Sequence, residues 1–183
     1  PSTEENCAVI SLGSQADTDK AVKAARDAFE SWMFTPKNDR LELIENILEE
    51  YKLRAEDMAK AISLEMGAPI EMARQQQVGT GLNHIKGFIN VFKEFQFDQD
   101  LRSDTPHDKI LYEPVGVCGL ITPWNWPMNQ VTLKTIPAIA AGCTMVLKPS
   151  EIAPLSSIVF SEILHEAGCP PGVFNMVNGD GLG

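Results

Sequence analysis

The sequence has few basic residues and lacks the features that mark nucleic-acid-binding and membrane proteins. Its 15 Lys and Arg residues against 25 Asp and Glu residues give a net charge of −10 at pH 7, which disfavours nucleic acids and anionic membranes as partners. No run of about 18 apolar residues could span a bilayer. No basic stretch followed by an apolar one opens the chain, so we expect no secretory signal. Hydrophobic residues still make up 44% of the chain, enough for a globular protein with a buried core.

Cysteine is scarce, and its spacing excludes the common metal sites. Cys7, Cys118, Cys143 and Cys169 form neither a CxxC pair nor a Cys/His cluster of the zinc type. We therefore expect no metal ion. The pattern is typical of reduced thiols in buried apolar surroundings, which predicts a cytoplasmic protein.

The first half of the chain has the periodicity of helices. Four are predicted: residues 16–32, residues 36–51, Ala55–Met66, and a stripe of apolar residues from 78 to 92. Asp17 is the predicted N-cap of the first helix, and Gly67 is predicted to end the third. Residues 97–109 are polar and aperiodic, which predicts a connection leading into a strand at residues 109–112.

From residue 113 onward, short apolar runs alternate with helical patterns. Strands are predicted at 115–122, 144–149 and 172–179, and helices at 127–142 and 154–168. Strands that are apolar on both faces are typical of a parallel sheet covered by helices on both sides. The predicted fold class is therefore α/β, with N-terminal helices packed on a parallel sheet.

Unusual polar sequences follow each predicted strand, at the edge where open parallel sheets bind ligands. The second of them, "KPSE", contains Lys148 and Glu151. The ammonium group could donate to hydroxyls or phosphate, and the carboxylate could accept from a ribose and repel a 2′-phosphate, which favours NAD over NADP. A simple surface ion pair fits the spacing equally well. The third, "NGDGLG", carries a GxGxG pattern with Gly181 at its centre, which is also compatible with an ordinary turn.

The first of these sequences, "TPWNWP", places Asn125 between two tryptophans and two prolines. Pro123 and Pro127 stiffen the loop, and a fixed neutral amide donor is what an oxyanion hole requires. Trp124 and Trp126 would then wall the pocket and exclude water. The alternative is an Asx turn flanked by two core aromatic residues.

Five segments together resemble the aldehyde dehydrogenase superfamily along the whole chain. They are "DTDKAVKAARDAFESW", "ISLEMGAPIEMA", "EPVGVCGLITPWNWPMN", "AIAAGCTMVLKPSE" and "GVFNMVNGDG". The most specific feature is the PWN element followed by KPSE about twenty residues later. The resemblance implies that residues 1–98 are the helical part of a cofactor domain and that 113–183 are the first half of its incomplete Rossmann-like sheet. Residues 99–112 would be a connection and one strand of an oligomerisation hairpin whose partner strand is absent.

The resemblance also implies a reaction, namely NAD-dependent oxidation of an aldehyde through a cysteine thiohemiacetal and thioester. Asn125 would help to hold the oxyanion, and Lys134 would lie near the catalytic glutamate as a candidate proton relay. The implied cofactor-binding residues are Ile121, Thr122, Pro123, Trp124, Lys148, Ser150, Glu151 and Gly181. The implied substrate-lining residues are Trp126, Asn129, Gln130 and Leu133. The protein is expected to be a homodimer or homotetramer acting on a small aldehyde.

The chain lacks two residues of the family pattern, the nucleophilic cysteine and the general-base glutamate. None of its four cysteines matches the family's nucleophile, and no residue matches the general-base glutamate. We therefore expect the chain to be the N-terminal portion of a larger enzyme and to be inactive by itself. Two alternatives stay open: an enzyme that prefers NADP, and a non-catalytic nucleotide-binding or structural module. The sequence does not identify the aldehyde, although Asn129 and Gln130 favour a substrate with a polar tail.

Overall fold

The computed structural model describes residues 4–104 and 107–180. Its helices are α1 (Gln15–Trp32), α2 (Lys37–Leu53), α3 (Ala55–Met66), α4 (Ile70–Met72), a π-helical segment (Ala73–Val78), α5 (Gly79–Glu94), α6 (Pro127–Ala141) and α7 (Leu155–Glu166). Its strands are β1 (Asp98–Asp100), β2 (Lys109–Leu111), β3 (Val117–Ile121), β4 (Thr144–Lys148) and β5 (Phe174–Met176). The predicted α/β fold class with a parallel sheet is confirmed.

Helix α1 begins with a capping box. The Ser14 side chain accepts from the Asp17 backbone N–H at 3.3 Å, and the Asp17 carboxylate accepts in return from the Ser14 N–H at 2.8 Å. The prediction that Asp17 is the N-cap is therefore wrong, because Ser14 holds that position and Asp17 is the third residue of the first turn. The two hydrogen bonds give partners to the backbone N–H groups of Ser14 and Asp17, which would otherwise lack them at the start of the helix.

Between α3 and α5 the chain is more helical than the sequence indicates. Gly67 ends α3 in the left-handed conformation, with φ 78°, and helical structure resumes at Ile70 and continues through the π-helical segment into α5. The prediction missed residues 70–77 because "RQQQ" gives no apolar stripe. The Tyr51 hydroxyl donates to the Val78 carbonyl at 3.1 Å, which ties the end of the π-helical segment to α2.

Strands β1 and β2 form an antiparallel hairpin. Asp98 pairs with Leu111, and Asp100 pairs with Lys109, so the partner of β2 lies within the chain. The prediction that residues 97–109 are only a connection, with the partner strand absent, is wrong. Lys109 lies 2.6 Å from the Asp100 carboxylate, and the polar sequence forms a strand because such cross-strand pairs satisfy it.

The parallel sheet has the order β3-β4-β5. Strand β4 is its centre, and the Thr144 hydroxyl donates to the Ala25 carbonyl of α1 at 2.8 Å. Because neighbouring side chains on a strand point to opposite faces, Met145 faces the other side, where it is fully buried in the core with residues of α6 and α7. Strand β3 lies at one end of this order. The prediction that it is buried on both faces is wrong, because the Ile121 side chain at its end is 73% exposed.

A buried carboxylate joins the helical region to the start of α7. Glu65 of α3 is 6% exposed. Its oxygens accept from the Leu155 N–H at 2.5 Å, from the Ser156 N–H at 3.2 Å and from the Ser156 hydroxyl at 2.5 Å. Pro154, the N-cap of α7, makes no side-chain cap bond. Glu65 therefore supplies, from another helix, the acceptor that the N-terminus of α7 needs.

Candidate functional site

The loops that follow β3, β4 and β5 lie side by side at one edge of the sheet. The Thr122 N–H, one residue after β3, donates to the Lys148 carbonyl at 3.3 Å. The Val177 N–H, one residue after β5, donates to the Leu147 carbonyl at 2.9 Å. The parallel register thus brings together the ends of strands that are distant in sequence, as expected for a ligand-binding edge.

Lys148 and Glu151 form an ion pair at this edge. The ammonium nitrogen lies 3.2 Å from a Glu151 carboxylate oxygen, and the two side chains are 28% and 44% exposed. A hydrogen bond from its own backbone N–H, followed by the Lys148 side chain, lowers the pKa of Glu151 below its ordinary value. Gly179 lies beside the aliphatic part of the Lys148 side chain: a Cβ atom at position 179 would lie 3.8 Å from Lys148 Cε. The pair therefore offers an ionised acceptor and a donor that solvent can reach.

Two other predicted cofactor residues are buried and shape the loops. Thr122 is 4% exposed and Ser150 is 7% exposed. The Ser150 hydroxyl accepts from the Ile152 N–H at 3.3 Å, and its carbonyl accepts from the Ala153 N–H at 3.1 Å. These bonds bend the chain between β4 and α7. Gly181 lies outside the described residues.

The loop before α6 presents Asn125 to solvent. Within residues 4–104 and 107–180 no hydrogen bond engages its side chain. An Asx turn would need a backbone N–H two residues further on, and Pro127 has none, so the alternative of an Asx turn is wrong. Trp126 is half-buried, whereas Trp124 is 45% exposed. That the two tryptophans wall a pocket and exclude water stays a prediction.

The accessible side of α6 carries two amide side chains whose oxygens are occupied. Asn129 Oδ1 lies 2.7 Å from His84 Nε2 of α5, and Gln130 Oε1 accepts from Lys134 Nζ at 3.1 Å. Leu133, on the same side, is 37% exposed. The opposite side, with Met128 and Val131, is in the core. Sequence reasoning missed His84, whose only signal was a polar residue beside the buried apolar stripe of α5.

Comparison with known proteins decides the family. The sequence model of the aldehyde dehydrogenase family matches residues 1–182. The chain is 48% identical over its full length to a 3-succinoylsemialdehyde-pyridine dehydrogenase from a Pseudomonas species, of which it covers 38%. The chain belongs to the aldehyde dehydrogenase family.

Solved structures of aldehyde dehydrogenases have the same fold over the matched region. The enzyme from Bartonella henselae superposes with a TM-score of 0.96 at 60% identity, covering 98% of this chain and 38% of that one. A mutant of aldehyde dehydrogenase C from Pseudomonas syringae, in complex with NAD+ and octanal, superposes with a TM-score of 0.92 at 49% identity. That match covers 97% of this chain and 36% of that one. The chain thus spans little more than a third of the length of these aldehyde dehydrogenases.

The cysteines of this aldehyde dehydrogenase chain are free thiols. Burial, followed by the nearby Cys143, raises the pKa of Cys118 to about 11, and burial raises the pKa of Cys169 to about 12. Cys143 is buried and Cys7 is exposed, so the prediction of buried thiols fails for Cys7. A nucleophilic cysteine needs a lowered pKa at an accessible position, which neither Cys118 nor Cys169 offers.

The described residues carry no obvious metal site or membrane span. Within them, no group of three or more His, Cys, Asp or Glu side chains could hold a metal ion. None of the helices in that part of the chain combines the length and apolarity that bilayer crossing requires.

Proposed function

We propose that the protein containing this chain oxidises an aldehyde to a carboxylic acid with NAD, and that the chain supplies the cofactor edge and the oxyanion donor. Besides family membership, one observation carries the proposal. The accessible Lys148–Glu151 pair and the unpartnered Asn125 amide both follow strands of one parallel sheet, at the same edge. The family resemblance assigns the nucleophilic cysteine and the general base to other parts of the protein.

The loops that follow β3, β4 and β5 have side chains suited to an adenine dinucleotide. Glu151 is the ionised acceptor for ribose hydroxyls, Lys148 is a donor beside it, and Gly179 leaves the Lys148 stem uncovered. The exposed side chains of Ile121 and Trp124 give an apolar wall next to these polar groups, which is the usual composition of a cofactor site. When bound, NAD would supply a hydride acceptor. Pro123 and Ser150 fix the paths of the two loops. Gly181, which lies outside the described residues, stays a proposed cofactor residue.

At the reacting end, Asn125 would stabilise the negative charge that develops on the aldehyde oxygen. Its amide cannot ionise, and no hydrogen bond within the described residues competes for its N–H groups. Trp126 and Leu133 would border the substrate together with Asn129 and Gln130. Lys134, held by Gln130, remains the candidate relay for a proton.

Assembly and compartment are proposed from the exposed surface of the hairpin and from the cysteines. We propose a homodimer or homotetramer, since the β1–β2 hairpin exposes Leu111 and Tyr112 at 62% and 46% and so offers apolar surface to another subunit. We also propose a cytoplasmic location, in which four free cysteines would stay reduced. The division of the chain into 1–98, 99–112 and 113–183 is kept as the proposed domain organisation.

The 183-residue chain by itself is expected not to oxidise aldehydes, because none of its cysteines matches the family's nucleophile and no residue matches the general-base glutamate. The check is NADH formation, followed by absorbance, with the purified chain at high concentration and a range of aldehydes. Sustained NADH formation that disappears in Asn125→Ala would contradict the assignment of the nucleophile to another part of the protein.

Replacing Glu151 by serine is expected to shift cofactor choice from NAD toward NADP in the full-length protein. The change removes the acceptor for the ribose hydroxyls and the charge that repels a 2′-phosphate, while Lys148 remains to attract it. The preference, measured as the ratio of kcat/KM values for the two cofactors, should move about tenfold or more, which is about 1.4 kcal/mol.

Glu166→Ser, at an exposed position near the end of α7, is the matched control and should leave the preference unchanged. An unaltered preference in Glu151→Ser would place the ribose elsewhere.

A further inference from the structure

Asn178 is the only one of the nine asparagines of this chain that precedes a glycine. It lies in the loop after β5, outside the helices and strands. Because Gly179 has no Cβ atom, its backbone rotates freely and its nitrogen is uncrowded. Asparagine is one of the chemically labile residues of proteins, and its side-chain amide is attacked most readily where a glycine follows in a loop.

The Asn178 amide and the Gly179 nitrogen are not engaged by hydrogen bonds. Asn178 Oδ1 is buried and has no partner. Among residues 4–104 and 107–180, none of the hydrogen bonds involves Asn178 Nδ2 or the Gly179 N–H. Asn175 of β5 is held instead, since its Nδ2 donates to the Met145 and Gly172 carbonyls at 3.1 and 2.8 Å. The two groups at residues 178 and 179 are therefore free to react with each other.

The loop that carries this pair lies beside the proposed cofactor residues. A Cβ atom at position 179 would lie 3.8 Å from Lys148 Cε. Asp180 is near enough to Glu151 for its charge to oppose the lowering of the Glu151 pKa. A change of charge or of chain length at Asn178 is therefore transmitted to the Lys148–Glu151 ion pair.

We propose that Asn178 is a site of spontaneous deamidation and that its conversion weakens cofactor binding. The Gly179 nitrogen attacks Asn178 Cγ, and the new C–N bond closes a succinimide ring. The side-chain nitrogen leaves as ammonia, taking the proton of the Gly179 N–H. Water then opens the ring at one of its two carbonyl groups and gives iso-aspartate or aspartate. These steps need no oxidant or reductant, and water is the only co-reactant.

Both products change the loop beside Lys148. Each carries a carboxylate where a neutral amide stood, and the added negative charge repels the phosphates of a dinucleotide. Iso-aspartate also lengthens the main chain by one methylene group. It turns the Asn178 carbonyl, which accepts from the Gly13 N–H at 2.7 Å, into a side-chain carboxylate and shifts Gly179. The effect on cofactor binding rests on the proposed function, whereas the deamidation does not.

The test incubates the full-length protein at mildly alkaline pH and separates the converted fraction by ion-exchange chromatography. Mass spectrometry of peptides should show deamidation at Asn178 at least about tenfold faster than at any other asparagine of the chain. Fragment spectra assign the mass gain to Asn178 and exclude isomerisation at Asp180, which leaves the mass unchanged. The Kd for NAD of the converted fraction should be higher by about tenfold or more.

Asn178→Gln is the blocking variant, because glutamine keeps the amide but would have to close a larger ring. It should keep its own NAD affinity through the same incubation. Asn178→Ser removes the amide and serves as a second variant in case the first does not fold. Asn90→Gln, at an exposed position of α5, is the matched control and should lose NAD affinity at the same rate as the unmodified protein.

Three results would overturn the inference. They are faster deamidation at another asparagine, conversion of Asn178 with no loss of NAD affinity, and an equal loss of affinity in Asn178→Gln. A freshly purified protein that does not bind NAD would instead contradict the proposed function. The peptide masses would still show in that case whether Asn178 deamidates.

Discussion

Replacing Asn125 by alanine is expected to lower kcat of the full-length protein by about 10²- to 10³-fold. One preorganised donor to a developing oxyanion is worth roughly 2.7–4 kcal/mol in the transition state. The amide of Asn125 has the features of such a donor: it is neutral, it follows the stiffening Pro123, and it is free of hydrogen bonds within the described residues. Steady-state kinetics with a saturating aldehyde and NAD measures the effect.

Stability and cofactor binding should not change in this variant. An exposed side chain that makes no hydrogen bond within the described residues contributes little to folding, typically less than about 0.5 kcal/mol. Asn83→Ala, at an exposed position of α5, is the matched control and should keep kcat. A loss of NAD affinity equal to the loss of kcat would contradict the role of Asn125 as an oxyanion donor, and so would a kcat within threefold of the unmodified protein.

Glu65→Leu is expected to destabilise the full-length protein by about 3 kcal/mol. The substitution leaves the Leu155 N–H, the Ser156 N–H and the Ser156 hydroxyl without their buried acceptor, and each buried unsatisfied donor costs about 1–3 kcal/mol. Glu65→Gln keeps one acceptor oxygen and should cost less, about 1 kcal/mol. Urea unfolding followed by circular dichroism gives both values. Glu42→Leu, exposed on α2, is the control and should be neutral.

The contribution of Glu65 should depend on pH in a defined direction. Burial raises the pKa of Glu65 to about 7, although hydrogen bonds from Ser156 and Leu155 act to lower it. Its pKa in the unfolded chain is about 4.3, so between pH 4.3 and 7 the folded state binds more protons than the unfolded state. The free energy of unfolding therefore falls as the pH rises through this window and levels off above 7. Glu65→Gln should remove this part of the slope; an unchanged slope would contradict the assignment.

Local signals were sufficient to predict several elements of the fold. Helix α3 has the predicted bounds because an apolar stripe is followed by Gly67, which adopts the left-handed conformation that ends helices. Strand β4 and helix α6 were predicted for similar reasons, with Gly142 between them at φ 81°. The π-helical segment was missed because its polar residues carry no periodicity. The β1–β2 hairpin was missed because charged cross-strand pairs, rather than apolar alternation, accompany its pairing.

The candidate site likewise combines residues whose location the sequence predicts with contacts that it does not predict. Asn125 and Glu151 lie in loops that follow strands, and their common location at one edge could be predicted because parallel strands bring their carboxyl ends together. The supporting contacts were not, since His84 lies 45 residues from Asn129 and Glu65 lies 91 residues from Ser156. Local patterns carry no information on which distant side chain will complete a hydrogen bond. The exposure of Trp124 was also unpredictable, because a tryptophan in a loop can either line a pocket or lie on the surface.

The most direct measurement is a crystal structure of the full-length protein with bound NAD. The proposed function predicts that the ribose hydroxyls of the adenosine lie within hydrogen-bond distance of Lys148 Nζ and the Glu151 carboxylate. It also predicts that the Asn125 amide nitrogen faces the space between the nicotinamide and the nucleophilic cysteine. A cofactor bound away from the loops that follow β3 and β4, or an Asn125 amide directed away from that space, would contradict it.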